Sequence, residues 1–221
     1  MRIVVLGATG NVGSRFTTQA TAAAHEVVAF ARRPDAVPRS KGVTIVQGSA
    51  EDTAPLASAA KGADVVVVSI TGKTSDGTFM QQRLPRVIDA VKQAGVTRLV
   101  LVSVFGAGDT AEKASGLAKL VYRTALGKFL HDKAAADKIL QASGLEWTIV
   151  YPVNLRDTTA LTEKAAVKRL DQVGKVPGLP TLPMDNAAEA LLDVVTDPKT
   201  AGQRLLITTP TGWMPATGGG R

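Results

Sequence analysis

The sequence predicts a single α/β domain, a doubly wound and mostly parallel sheet flanked by helices. Three observations carry this. Short β-branched runs alternate with helix-like segments along most of the chain. Several of these runs are apolar throughout, as strands are when helices cover both faces of a parallel sheet. A glycine loop, Gly7-Ala8-Thr9-Gly10-Asn11-Val12-Gly13, joins the first run to the first helix-like segment. The 221 residues suffice for one well-buried core.

Taken in order, the strand candidates are Ile3–Leu6, Val27–Phe30, Val43–Val46, Val65–Ser69, Leu99–Ser103, Thr148–Val150 and Leu205–Thr208. Helix candidates lie between them at Val12–Ala24, Ala54–Ala60, Phe79–Ala94, Leu126–Ala142 and Asn186–Val195. Gly95 and Gly144 follow two of these helices, where a left-handed C-terminal residue is wanted. The domain is expected to span residues 1–209, with a substrate-side insertion near 155–183. Within that insertion Leu161–Leu170 is charged and reads as a possible helix, whereas Gly174-Lys175-Val176-Pro177-Gly178-Leu179-Pro180 is too rich in Pro and Gly for one. Insertions after late strands often cover the crevice beyond the carboxyl ends of such a sheet, where ligands sit. Residues 210–221, ending Gly218-Gly219-Gly220-Arg221, read as a flexible tail.

Composition narrows the function classes. The absence of cysteine excludes a disulfide scaffold, a thiolate metal site and a cysteine nucleophile, and His25 and His131 are too few for the usual His-based metal site. The net charge of +7 is concentrated in residues 1–50 and 113–138, which suits an anionic partner. Aromatics at 4% supply few base-stacking platforms, and no nucleic-acid-binding motif is apparent, so an anionic cofactor is expected rather than nucleic acid. Met1 leads directly into an apolar strand and no apolar stretch approaches the ~20 residues of a membrane span. A cytoplasmic protein without membrane contact is expected; the composition leaves oligomeric state open.

The glycine loop has the spacing G-x-x-G-x-x-G between a strand and a helix. Such glycines allow a tight turn, a close approach of pyrophosphate to backbone, and close helix–strand packing. The helix start adds unpaired N–H groups and a positive dipole end. Gly7, Thr9, Gly10, Asn11, Val12 and Gly13 are therefore the expected phosphate-side residues. At the end of the second strand, where NAD-binding versions place Asp or Glu, this chain has Arg32 and Arg33. Guanidiniums match a 2′-phosphate, so NADP(H) is the expected cofactor.

At these residues the sequence resembles the atypical short-chain dehydrogenase/reductase proteins of the NmrA-like, NAD(P)H-binding type, which include flavin/biliverdin reductase-like and isoflavone reductase-like enzymes. The resemblance runs over residues 1–209, through GATGNVG at 7–13, FARRP at 30–34, GADVVVVS at 62–69, RLVLVSVFGAG at 98–108, SGLEWTIVYP at 143–152 and MDNAAEALLDVV at 184–195. It implies a Rossmann-like sheet, an NADP cofactor, and either a small-molecule substrate or a regulatory role without turnover. Two departures stand out. Gly48 is followed by Ser49 where many relatives carry an adenine-contacting Asp, although Asp52 keeps the later acidic position. The Y-x-x-x-K pair of typical short-chain dehydrogenases is missing, since Tyr122 and Tyr151 are followed four residues later by Leu126 and Leu155.

Candidates for chemistry sit at the strand ends. Ser69, Thr71 and Ser103 fall on the crevice side, the first two as cofactor contacts and Ser103 as a hydrogen-bond donor to a carbonyl or the cofactor amide. On the helix after them, Phe129, Lys133, Ala136 and Leu140 share one face, so Lys133 lies in an apolar stripe. Counted back from Ser143-Gly144-Leu145, it also matches the active-site lysine of isoflavone reductase-like relatives. Lys133 either acts as acid or base in a cavity or pairs with Asp137 on a solvated face. His131 is an alternative proton donor, and the resemblance puts Asn154 on the substrate side. The leading reading is an NADPH-dependent oxidoreductase that reduces a small organic acceptor: a flavin, quinone, enone or ketone. The alternative is an NADP(H)-sensing regulator of NmrA type without turnover; a nucleotide-sugar epimerase is disfavoured by the missing Y-x-x-x-K and the short C-terminal region.

Overall fold

The computed structural model describes residues 1–216, without the side chains of residues 117, 121–123 and 125. Seven strands match the seven apolar runs: β1 (Arg2–Leu6), β2 (Glu26–Ala31), β3 (Val43–Gln47), β4 (Val65–Val68), β5 (Arg98–Val102), β6 (Glu146–Pro152) and, later in the chain, Gln203–Thr208. Four short strands precede that last one: β7 (Asn154–Arg156), β8 (Ala166–Arg169), β9 (Val173–Lys175) and β10 (Thr181–Pro183). Gln203–Thr208 is therefore β11, and Met214–Pro215 is β12. The helices are α1 (Asn11–Ala22), α2 (Thr53–Ala60), α3 (Phe79–Gln93), α4 (Gly116–Ala125), α5 (Gly127–Gln141) and α6 (Met184–Thr196). Gly95 and Gly144 take left-handed φ just past α3 and α5, as their positions predict.

The main sheet has the order β3-β2-β1-β4-β5-β6-β11-β8, parallel except for β8, which runs antiparallel to β11. The strand order reverses at β1, between β2 and β4, and that switch point sets a crevice beyond the carboxyl ends. α1 and α6 pack together over one face, while α2, α3 and α5 form a layer on the other. This double cover explains the unbroken apolar runs: all four valines of β4 and all of Leu99–Val102 are buried. At ~25 cal/mol per Å² of apolar surface, such strands contribute much of the folding free energy. The architecture is the α/β Rossmann-like single domain that the sequence predicts.

The insertion differs from expectation. Ala166–Arg169 is not helical; it pairs antiparallel with β11, Leu205 opposite Arg169 and Thr208 opposite Ala166. Two of the charges that suggest a helix, Lys168 and Arg169, lie on this edge strand, a position where lysine and arginine guard against further pairing. β7 pairs with β10, and the segment is fastened to the body by Arg15–Asp157 at 2.6 Å and by Leu161 N–H donating to Asn186 Oδ1 at 2.8 Å. α4 begins at Ser115, whose Oγ accepts from Ala118 N–H, an N-cap that the sequence reading passes over. In the expected tail, Met214–Pro215 pairs with β9, and Lys168 Nζ lies 4.7 Å over the Trp213 ring; residues 217–221 are outside the described residues.

Candidate functional site

A cavity of about 340 Å³ opens at the switch point, lined from the ends of four strands: Leu6 to Gly10 after β1, Phe30 to Arg33 after β2, Gly48 to Glu51 after β3 and Ser69 to Thr71 after β4, with Phe79 and Arg83 of α3. The loop after β1 is built on backbone that only glycine allows. Gly7 has φ +96°, and a Cβ there would strike the Ser69 carbonyl; a Cβ on Gly13 would strike the Gly7 carbonyl. Gly7 thus lets β1 and β4 close together, and Gly13 lets α1 dock against the loop. Gly10 precedes α1 with no side-chain cap, and Ser14 N–H is the first helical amide to bond back to it. The amides of Asn11, Val12 and Gly13 therefore start the helix without a partner from the helix ladder, as an anion cradle requires.

The far wall carries positive charge. Arg32 and Arg33 are exposed, line the cavity, and among the described residues their side chains have neither an ion pair nor a hydrogen bond. Glu51 and Arg83 meet as an ion pair at 2.5 Å on the lining, and Arg83 lies 4.2 Å over the Phe79 ring. Neither is a residue that sequence reasoning singles out. Glu51 follows β3 as Arg32 follows β2 and is within reach of the same strand-end rule; Arg83 depends on how α3 packs and leaves no sequence signal. Asp52 does not enter the cavity: its Oδ2 accepts from Ser49 N–H at 2.7 Å and closes the loop after β3.

Of the expected residues, Gly7, Thr9, Gly10, Arg32, Arg33, Ser69 and Thr71 line this cavity, with Asn11, Val12 and Gly13 just behind it in the first turn of α1. Ser103 and Lys133 do not line it; both are buried behind Ile70, at 5% and 3% exposure. β4 and β5 end side by side, Val68 opposite Leu101, and Ile70 and Ser103 each follow two residues after these paired positions. Lys133 Nζ donates to the Ile70 carbonyl at 3.1 Å and to the Val102 carbonyl at 3.5 Å, and it lies 5.8 Å from the Phe129 ring centroid. Burial lowers its pKa to about 8, opposed by the charges of Asp137 and Asp132. The solvated Lys133–Asp137 pair that the sequence leaves open is absent: both residues are buried, and no contact within ion-pair distance joins them among the described residues.

Two further candidates fall elsewhere. His131 is exposed beside Thr78 and Lys128 on a shallow surface hollow, and Asn154 Nδ2 donates to Thr181 Oγ1 at 3.3 Å between β7 and β10. Asp132, next to Lys133, is buried and accepts from Met80 N–H at 2.8 Å and from Gln81 N–H at 3.0 Å, which caps α3 from a different helix. Among the described residues, no group of three or more His, Asp or Glu side chains could hold a metal ion, and no helix is long and apolar enough to cross a membrane.

A family described as NAD(P)H-binding matches residues 7–198, from the first loop glycine to just past the end of α6. The chain belongs to this NAD(P)H-binding family. Among family relatives, it is 28% identical over 162 residues to the bifunctional pinoresinol-lariciresinol reductase 2 of Linum usitatissimum, covering 67% of this chain and 46% of that one. The chain thus spans less than half the length of that plant reductase. It is 28% identical over 186 residues to the uncharacterized sugar epimerase YhfK of Bacillus subtilis, covering 78% and 80%. Among solved structures, the anaerobillin reductase ChuY of Escherichia coli O157:H7 superposes with a TM-score of 0.77 at 26% identity, covering 96% of this chain and 98% of that one.

Proposed function

We propose that this protein is an NADPH-dependent oxidoreductase acting on a small organic acceptor: a flavin, quinone, enone or ketone. The observation that carries the reading is the cavity itself, which runs from a glycine-built anion cradle at Gly7–Gly10 to the unpaired Arg32 and Arg33. These residues fit a dinucleotide with an extra ribose phosphate. The α1 amides and Gly10 suit its pyrophosphate, and the two guanidiniums suit the 2′-phosphate. The reductases among the relatives support the same class.

When bound, NADPH would supply the hydride. The chain's own residues then have three tasks. The loop glycines and arginines bind and orient. Ser69, Ile70 and Thr71 shape the wall beside the β4 end. Lys133, fixed on the Ile70 and Val102 carbonyls, sets a positive charge directly behind that wall, where it would steady negative charge on a reduced acceptor.

The test is NADPH oxidation against a panel of flavin, quinones, enones and ketones, with binding of NADPH and NADP⁺ measured alongside. Turnover of one acceptor class with NADPH is the expected result. Tight cofactor binding with no acceptor reduced would replace this reading with that of a cofactor sensor.

A further inference from the structure

Behind the cavity lies a buried polar cluster that the reading above does not use. Asp137 sits one turn beyond Lys133 on α5, at 5% exposure. Its Oδ2 accepts from the Tyr151 hydroxyl at 2.9 Å, and that hydroxyl accepts from Arg204 Nε at 3.0 Å. Asp109 grips the Arg204 guanidinium with both carboxylate oxygens. The other oxygen, Asp137 Oδ1, is buried with no hydrogen-bond partner, and so is Ser103 Oγ. The two groups are nevertheless close enough for the serine hydroxyl to draw the carboxyl's pKa downward. A buried donor and a buried acceptor of this cluster are thus both left unsatisfied. Each costs stability while it stays so. The cluster is no proton wire to the surface, because Arg204 stays a guanidinium and cannot hand a proton on. It is a series of supports that ends at Asp137.

We propose that Asp137 is a positioning residue of the site: anchored on one oxygen by Tyr151, Arg204 and Asp109, it keeps Lys133 an ammonium by its charge and takes the Ser103 hydroxyl on its other oxygen. Its consequence for turnover rests on the oxidoreductase reading; the charge coupling does not. The groups facing the pair are Asp132 on α5, Ser103 on β5's end, Tyr151 on β6, and Arg204 on β11 with Asp109 behind it. Burial raises Asp137 to about 6 and lowers Lys133 to about 8, and the Asp137 charge is the largest counterweight on the lysine. Both groups are therefore charged between those values, and loss of the carboxylate leaves the lysine with burial opposed only by the weaker effect of Asp132.

The experiment is a carbon-detected NMR titration of the unliganded protein. It reads Lys133 Cε and Asp137 Cγ, assigned by their loss in Lys133→Met and Asp137→Asn. In Asp137→Asn the Lys133 midpoint should fall by about one unit or more. In Tyr151→Phe the Asp137 midpoint should rise, because the bond that favours its charged form is gone. With an acceptor in hand, the alkaline limb of kcat should move down with the lysine midpoint in Asp137→Asn. A Lys133 midpoint that stays in place in a folded Asp137→Asn protein overturns the proposal, even if its Tm falls, since a structural role alone would do that. If Asp137→Asn does not fold, an unmoved Asp137 midpoint in Tyr151→Phe overturns it instead. Failure of the unmodified protein to oxidise NADPH with any acceptor would overturn the oxidoreductase reading, while the titration alone decides the coupling.

Discussion

Arg32 and Arg33 differ from Arg15, Arg83, Arg98 and Arg204, each of which is already held by a carboxylate, carbonyl or hydroxyl. Unpaired guanidiniums at a cavity rim are available to a phosphate at little cost in broken contacts. Charge-assisted bonds of this kind are worth ~1.5–3 kcal/mol. NADPH should therefore bind at least roughly tenfold more tightly than NADH, and Arg32→Ala with Arg33→Ala should remove most of that preference in calorimetric titrations; equal affinities in the unmodified protein would end the argument. Lys133→Met keeps the stem and deletes the charge. Cofactor affinity should then change little, while turnover falls by roughly 10²-fold, the range for losing fixed electrostatic support; rates within about twofold of the unmodified enzyme would remove Lys133 from the mechanism. Both sets of residues are legible in sequence, the arginines because they end a strand and the lysine because it sits in an apolar stripe. Glu51–Arg83 and the Asp137–Tyr151–Arg204 series are not, because their partners meet only through packing: Tyr151 and Arg204 are 53 residues apart.

Elements divide along the same line. The strands and helices of the parallel core carry their own signal, apolar runs bounded by glycines, and the reading of them from sequence matches the structure to within a few residues. β8 does not, because Ala166–Arg169 becomes a strand only through its register with β11. The joint between β1 and α1 depends on the loop glycines. Gly10→Val would crowd a branched side chain against the Gly7 carbonyl, which an ideal Cβ there already approaches to 3.2 Å. NADPH binding should collapse while far-UV circular dichroism stays near native, and a folded Gly10→Val protein that bound NADPH normally would move the site elsewhere. The start of α3, by contrast, depends on a residue of α5. Asp132→Ala strands the buried amide of Met80 and the part-buried amide of Gln81. Loss of a cap and of charge-assisted bonds together should cost about 2–3 kcal/mol in urea unfolding, and a change below about 0.5 kcal/mol would show that water replaces the carboxylate there.

For the molecule as a whole, the buried Lys133 and Asp137 are a liability that the fold tolerates. Asp137 holds its proton up to about 6, well above the ordinary carboxyl value, so the folded state binds more protons than the unfolded one between ~4 and ~6, and stability falls as pH rises through that window. Lys133 has lost its proton by about 8, below its ordinary value, so between ~8 and ~10.5 the unfolded state binds more and stability rises with pH. The two penalties are both fully present between pH 6 and 8, where the site is proposed to work. Lys133 and Asp137 are not in ion-pair contact, but the same principle applies to them: replacing buried opposite charges by neutral groups of similar size often stabilises a protein by about 1–4 kcal/mol, whereas removing one charge strands the other. The double variant Lys133→Met with Asp137→Asn keeps an acceptor for the Tyr151 hydroxyl and an apolar stem beside Phe129. It should therefore be more stable than the unmodified protein at pH 7, and Lys133→Met alone should not, because Asp137 then loses the ammonium that favours its charge. The advantage of the double variant should shrink at pH 5 and again at pH 9, since the unmodified protein sheds one of its two buried charges at each. Urea unfolding at the three pH values checks this. A double variant that is less stable than the unmodified protein at pH 7, with the same deficit at 5 and 9, would mean that the two side chains stabilise the fold through their contacts rather than burden it with their charge.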